Sequence, residues 1–195
     1  MTSNPLIYLA SQSPRRRELL GQIGVSHAVL SVEVDERLHA GECASDYVTR
    51  VALDKARAGR AALAAGNVIP VLGADTSVVI AGEVLGKPAN RAAAIAMLQR
   101  LSGATHEVLS AVALAGATGE AVRVSASRVT FRTLTGRECA AYWATGEPAD
   151  KAGAYAIQGL AAVFVTRIEG SYSGVMGLPL YETAELLKES GITVI

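Results

Sequence analysis

Asp75 is the residue of this chain most readily read as catalytic. The continuous apolar run from Val68 to Ala74, with Pro70 near its start, reads as a central strand. It ends at Gly73-Ala-Asp-Thr76 and resumes as Ser77-Val-Val-Ile80. A carboxylate at the end of a buried strand is costly unless it is paired or holds a metal. The plainer alternative is an Asp that hydrogen-bonds a turn. A second group of residues suits a polyanion. The apolar run Leu6–Ala10 stops at Ser11-Gln-Ser-Pro14, where Ser13 is a suitable N-cap and Pro14 a suitable first helical residue. Arg15, Arg16 and Arg17 then fall in the first helical turn, where the helix dipole disfavours cations. Bound phosphate would offset that clash, because backbone N–H groups, two serine hydroxyls and guanidinium forks would converge on it.

Other residues join these only conditionally. Glu33-Val-Asp-Glu36 puts three carboxylates in four residues, which is either a solvated turn or an oxygen ligand set for a hard divalent cation. Lys87 lies between Gly86 and Pro88, a setting that holds a cation in place. A lone helical lysine such as Lys55 ordinarily faces solvent and counts only if the rest of a site calls for it. His27, His39 and His106 share no metal-ligand spacing.

The elements that must position these groups can be read from pattern. A helix from Pro14 to Ile23 stops at Gly24, and Ala28–Val32 reads as a strand. Ser45 is expected to cap a long helix reaching Gly66, with Val48, Val51, Ala52 and Ala56 on its apolar face. Gly82 marks a hairpin into Val84-Leu85, and Asn90 caps a helix over Arg91–Leu101. Thr105–Ala115 and Ala121–Leu134 read as two strands joined by a turn around Gly116–Gly119. Apolar parity flips near Ser127, which predicts a bulge there. Thr135-Gly-Arg-Glu138 is a capping box for a helix through Trp143. The segment Gly146–Gly159 is rich in small residues, as expected where backbone approaches a ligand closely. Ala161–Ile168 reads as a strand, and a last helix ends at Gly191 before a short terminal strand. Alternating strands and helices with an antiparallel group in the middle predict an α/β fold with a mixed sheet.

Composition narrows the function. The chain has 195 residues, half of them hydrophobic, enough for a sizeable core in one domain with two lobes. Lys plus Arg and Asp plus Glu number 18 each, so net charge points to neither a nucleic-acid nor a membrane partner, and any basic site is local. Cys43 and Cys139 form no Cys-x-x-Cys pair, which reads as a reduced cytosolic protein. Met1–Pro5 is too short and polar for a signal peptide, and no apolar run approaches a membrane span.

Taken together, Leu9-Ala-Ser-Gln-Ser-Pro-Arg-Arg16, Lys55, Gly73-Ala-Asp-Thr76, Gly86-Lys-Pro88, Asp150-Lys-Ala-Gly-Ala-Tyr-Ala-Ile-Gln158 and Gly177-Leu-Pro-Leu180 resemble the Maf family of nucleoside triphosphate pyrophosphatases. The matches run in order over nearly the whole chain. They are closest to the branch acting on dTTP and UTP, whose hallmark residues match Arg16, Thr76 and Gln158. One departure is Ser173-Gly174, where the family often has Asn in the second place. The resemblance implies a mixed central sheet flanked by helices, two lobes with a cleft, and a fold like that of the inosine triphosphatases. It implies that Asp75 acts as base or water organiser and joins Glu36 in holding Mg²⁺ or Mn²⁺. Ser11, Arg15, Arg16, Lys55 and Lys87 would cradle the triphosphate, and cleavage between the α and β phosphorus atoms would yield a monophosphate and pyrophosphate. A homodimer is a further implication. Two rival readings are a nucleotide-binding regulator of septum formation without turnover, and a purine-cleansing enzyme of the inosine triphosphatase type. The two acidic residues and two lysines favour an enzyme.

Overall fold

The computed structural model describes residues 5–117 and 119–194. The first apolar run forms β1 (Ile7–Leu9), followed by α1 (Pro14–Gln22) with Ser13 at its N-cap position and Gly24 at φ +69° beyond its end. The Ser13 hydroxyl makes no cap bond; its backbone N–H instead donates to Ser11 Oγ at 3.3 Å. β2 (His27–Val29) is shorter than expected and stops before Glu33-Val-Asp-Glu36, which lies in an irregular stretch. α2 (Ala44–Ala61) is capped by Cys43, whose Sγ accepts from Asp46 N–H, and not by Ser45. It ends short of Gly66 because Leu63 N–H bonds back to Arg60, tightening the last turn.

β3 (Val71–Ile80) runs unbroken through Gly73-Ala-Asp-Thr76, so Asp75 sits in mid-strand and not at a strand end. Ala81 and Gly82, both at positive φ, turn the chain into β4 (Glu83–Leu85), as a two-residue hairpin requires. α3 (Arg91–Leu101) is capped by Asn90 as expected. β5 (Thr105–Gly116) and β6 (Gly119–Phe131) follow, and the turn expected between them includes Thr118, which lies outside the described residues. α4 (Gly136–Ala144) opens with the Thr135–Glu138 capping box. The segment Leu160–Phe164 is a 3-10 turn and not the first half of a strand. Its buried residues Ala161 and Phe164 are three apart, the 3-10 repeat. β7 (Val165–Glu169), α5 (Tyr172–Met176) and α6 (Leu180–Glu189) complete the chain. Ile192–Val194 form no terminal strand, and Ile195 lies outside the described residues.

Among the described residues the sheet has seven strands in the order β2-β1-β3-β5-β6-β7, with β4 also pairing β3. β1 pairs in parallel with β2 and β3, and the other pairings are antiparallel, so the sheet is mixed and flanked by helices. One edge of β3 changes partner along its length. β1 pairs only Val71 and Leu72, and β4 pairs only Val78–Ile80, so residues 73–77 have no strand partner on that side.

Side-chain alternation sorts the packing. Leu72, Ala74, Val112 and Leu114 pack with Leu19 and Leu20 of α1 and Leu186 and Leu187 of α6. Val78, Val108, Val129 and Phe131 pack with α3, α4 and residues 154–164. On the opposite face Val48, Ala52 and Ala56 of α2 meet Ala111, Ala113 and Ala115 of β5. Gly73 lets α2 approach, since a Cβ there would fall 2.2 Å from Ala52 O and 2.6 Å from Ala56 N. The β5–β6 register is continuous through Ser127, and no bulge occurs there. Ser125 and Ser127 share the buried face with Val129 and Phe131, and the Ser127 hydroxyl accepts from Ser171 N–H at 2.9 Å. A small polar residue serving a packed loop, not a change of parity, explains the break in the apolar pattern. The irregularity in β6 lies at Thr130/Phe131, against β7.

Candidate active site

The stretch of β3 left open on one edge borders a cavity of about 590 Å³. Asp75 and Thr76, which point to opposite faces of the strand, both border it, together with Ser11, Arg15, Arg16, Glu36, Lys55, Lys87 and Gln158. The residues assigned above to catalysis, substrate and metal thus all reach one cavity. Arg17 is exposed and does not line it.

Lys55 is buried, contrary to the usual orientation of a lone helical lysine. Its side chain crosses from α2 to β3, placing Nζ 2.9 Å from Asp75 Oδ1 and 2.7 Å from Glu36 Oε1. Lys55 and Asp75 are 9% and 8% exposed, so each charge is largely withdrawn from water and depends on the other. Asp75 Oδ2 has no hydrogen-bond partner among the described residues.

Glu36 reaches this pair from an irregular segment held to α2 at three consecutive carbonyls. Arg50 donates to Asp35 O (3.1 Å) and Arg37 O (2.9 Å), and Tyr47 Oη donates to Glu36 O (2.8 Å). Arg50 is itself fixed by a two-pronged bond to the Glu42 carboxylate. Partial burial raises the pKa of Glu36. The Lys55 hydrogen bond and the charges of Lys55, Lys87 and Arg16 outweigh that and hold it below the ordinary value. Burial, with Asp75 and Glu36 nearby, pushes the Tyr47 hydroxyl up to about 12, so it remains a donor.

Arg16 is anchored. Its Nε donates to Gly177 O at 2.8 Å and a terminal nitrogen to Ser11 Oγ at 3.1 Å. Burial lowers its pKa while Asp75 and Glu36 oppose the shift, and a guanidinium stays charged throughout. Arg15 lines the cavity with no hydrogen-bond partner among the described residues. Lys87 is exposed at the rim, and Gly86 O beside it accepts from Gly153 N–H, tying this loop to the glycine-rich segment.

Thr76 has a defined polarity. Ser110 Oγ lies 2.6 Å from Gly174 O, which can only accept, so the single Ser110 proton points there. Thr76 Oγ1, 2.8 Å from Ser110 Oγ, must therefore donate to it and offers the cavity only lone pairs. Gly174, where the family often has Asn, is packed against Ser171; a Cβ would meet Ser171 Cβ at 3.1 Å. Gln158 is exposed at the cavity wall, in a turn closed by Gly159 N–H to Ala156 O at 3.0 Å.

Lys151, Tyr47 and Tyr155 also line the cavity, although the individual residues gave no signal in the sequence beyond the position of Lys151 and Tyr155 in the Asp150–Gln158 motif. Arg15, Arg16, Lys55, Lys87 and Lys151 face Glu36, Asp75 and Asp150, an excess of cations suited to a polyanion. Among the described residues no three His, Cys, Asp or Glu side chains form a metal-binding group. Glu36 and Asp75 are the carboxylates drawn together at Lys55. No helix among the described residues is long and apolar enough to cross a membrane.

A protein of Alkalilimnicola ehrlichii named dTTP/UTP pyrophosphatase is 58% identical over 188 residues, covering 95% of this chain and 93% of the relative. Proteins of the same name from Hahella chejuensis and Bordetella parapertussis are 53% and 55% identical, covering 96% and 97% of this chain and 94% and 95% of theirs. The family model described as Maf-like protein matches residues 6–190, and the chain belongs to the Maf family.

Proposed function

We propose that the chain is a nucleoside triphosphate pyrophosphatase that hydrolyses dTTP and UTP to the monophosphate and pyrophosphate. The observation that carries this reading is the Glu36–Lys55–Asp75 cluster set among cations in one cavity, with Arg16, Thr76 and Gln158 on its walls. The names of relatives more than half identical over nearly the full chain support the same reading.

In this mechanism Ser11, Arg15, Arg16, Lys55 and Lys87 hold the triphosphate. Asp75, through its uncommitted Oδ2, takes a proton from a water as that oxygen bonds to the α phosphorus. The bond from the α phosphorus to the bridging oxygen breaks, and pyrophosphate leaves with the electron pair. Oxygen-only donors suit Mg²⁺ or Mn²⁺, which commonly use one or two carboxylates and complete their shell with water and substrate phosphates. Glu36 and Asp75 fit that donor set, and Lys55 already marks the point between them as a cation position. A divalent ion there would supply stabilisation of charge on the phosphoryl oxygens.

Pyrophosphate release from a panel of dTTP, UTP, dCTP, ITP and dGTP, with and without Mg²⁺, tests the reading. Preferential release from dTTP and UTP is expected. Binding without turnover would establish the regulator instead, and a preference for ITP the purine-cleansing enzyme.

A further inference from the structure

We propose that Tyr142 and Glu147 are positioning residues for base selection, holding the turn that carries Gln158. The proposal rests on the reading of the chain as a dTTP and UTP pyrophosphatase in which Gln158 reads the base, its amide accepting from the pyrimidine ring N–H and donating to the adjacent carbonyl.

Gln158 lies between Ile157 and Gly159 in a turn closed by Gly159 N–H to Ala156 O. An exposed side chain on such a turn reads a base only if the turn itself is fixed. Two backbone donors flank it, and both end on one short chain of side chains. Ala156 N–H donates to Tyr142 Oη at 3.1 Å. Tyr142 Oη donates in turn to Glu147 Oε1 at 2.6 Å. The other oxygen, Glu147 Oε2, accepts from Leu160 N–H at 3.1 Å. The phenol gives one proton and takes one, and each carboxylate oxygen takes one, so the chain is fully matched. The phenol is 4% exposed, and its attachment to α4 ties the turn to the helical core.

Gly159 supplies a separate observation. A Cβ at this position would fall 2.4 Å from both oxygens of the Glu147 carboxylate. The glycine therefore makes room for the carboxylate under the turn. Nothing in the proposed phosphate chemistry uses Tyr142 or Glu147, neither of which lines the cavity.

The test uses the full chain. Glu147→Gln puts an amide N–H where an acceptor is needed, and Gly159→Ala displaces the carboxylate without removing a polar group. Tyr142→Phe is a third, conservative variant should either fail to fold. Each should lower kcat/KM for dTTP and UTP about tenfold, the scale of one well-placed hydrogen bond, and narrow their preference over the purine triphosphates. Amide exchange at Ala156 and Leu160 should accelerate without substrate present. In a Gln158→Ala background the same substitutions should narrow selectivity no further. If Gln158→Ala narrows selectivity while the other variants leave it at the wild-type value, or if the double variants lose it additively, the positioning role is overturned. If Gln158→Ala itself preserves selectivity, the base assignment is overturned, and the positioning role with it.

Discussion

Lys55 Nζ stands between two carboxylates, 2.9 Å from Asp75 Oδ1 and 2.7 Å from Glu36 Oε1, and the two partners differ in surroundings. The Asp75 side chain is 11% exposed and that of Glu36 48%, so the Lys55–Asp75 bond is the one shielded from water. Asp75→Asn keeps the shape and leaves Lys55 paired with Glu36. Turnover should fall about 10²- to 10⁴-fold with the fold intact, the usual cost of losing a general base. Lys55→Met strands a buried Asp75 charge and should also lower stability, by about 1–3 kcal/mol because the cavity lets water reach the carboxylate. Steady-state kinetics and urea midpoints separate the two; near-normal turnover in Asp75→Asn would remove Asp75 from the chemistry.

The neighbouring arginines should part company. Arg16→Ala loses bonds to Gly177 O and Ser11 Oγ and should impair both stability and kinetics. Arg15→Ala loses no such bond and relieves a cation at a helix N-terminus, so it should weaken KM or kcat while stability holds or rises by about 0.3–1 kcal/mol. Equal losses of stability in both variants would contradict this division.

Gly73 is set against backbone, which cannot swing aside. Gly73→Ala should cost on the order of 3 kcal/mol or more, since the new methyl group meets Ala52 O and Ala56 N. Gly86→Ala, where a Cβ meets nothing within 4 Å, should stay within about 0.5 kcal/mol. Thermal melts of the pair make the comparison.

His106 provides a pH dependence. It is 1% exposed, bonds Tyr155 Oη through Nε2 at 2.8 Å, and burial lowers its pKa from 6.5 to about 4. Between those values the unfolded chain binds a proton that the folded chain does not, so stability rises with pH across the window. On acidification from pH 6.5 to 4 this group alone should cost roughly 2–4 kcal/mol. His106→Gln retains a partner for Tyr155 without a titrating ring and should flatten that part of the urea-midpoint profile. An unchanged slope would assign the acid sensitivity elsewhere.

Divalent-metal dependence is the last expectation. Exhaustive chelation should abolish pyrophosphate release, and Mg²⁺ or Mn²⁺ should restore it, given oxygen-only donors at Glu36 and Asp75. Full turnover in the chelated protein would exclude the requirement.

Much of what depends on near neighbours in the chain was legible in the sequence, although Cys43 took the cap expected of Ser45. The Asn90 cap, the Thr135–Glu138 box, the Ala81-Gly82 hairpin and the apolar face of α2 are local patterns, and each formed where its residues stand. The motif residues were legible too, as a set of punctuating segments. Their meeting was implied by the resemblance alone and by no local pattern, because it depends on contacts between segments far apart in the chain. Ser127 looked like a break in parity until the Ser171 loop packed on it, and Lys55 looked solvent-facing until α2 settled on Gly73. Above all, the tertiary structure decided that β3 changes partner from β1 to β4. Two short strands, each satisfying only part of one long edge, leave residues 73–77 without a strand partner on that edge, while β5 pairs them on the other. Through that gap Asp75 and Thr76, on opposite faces of one strand, reach a single cavity.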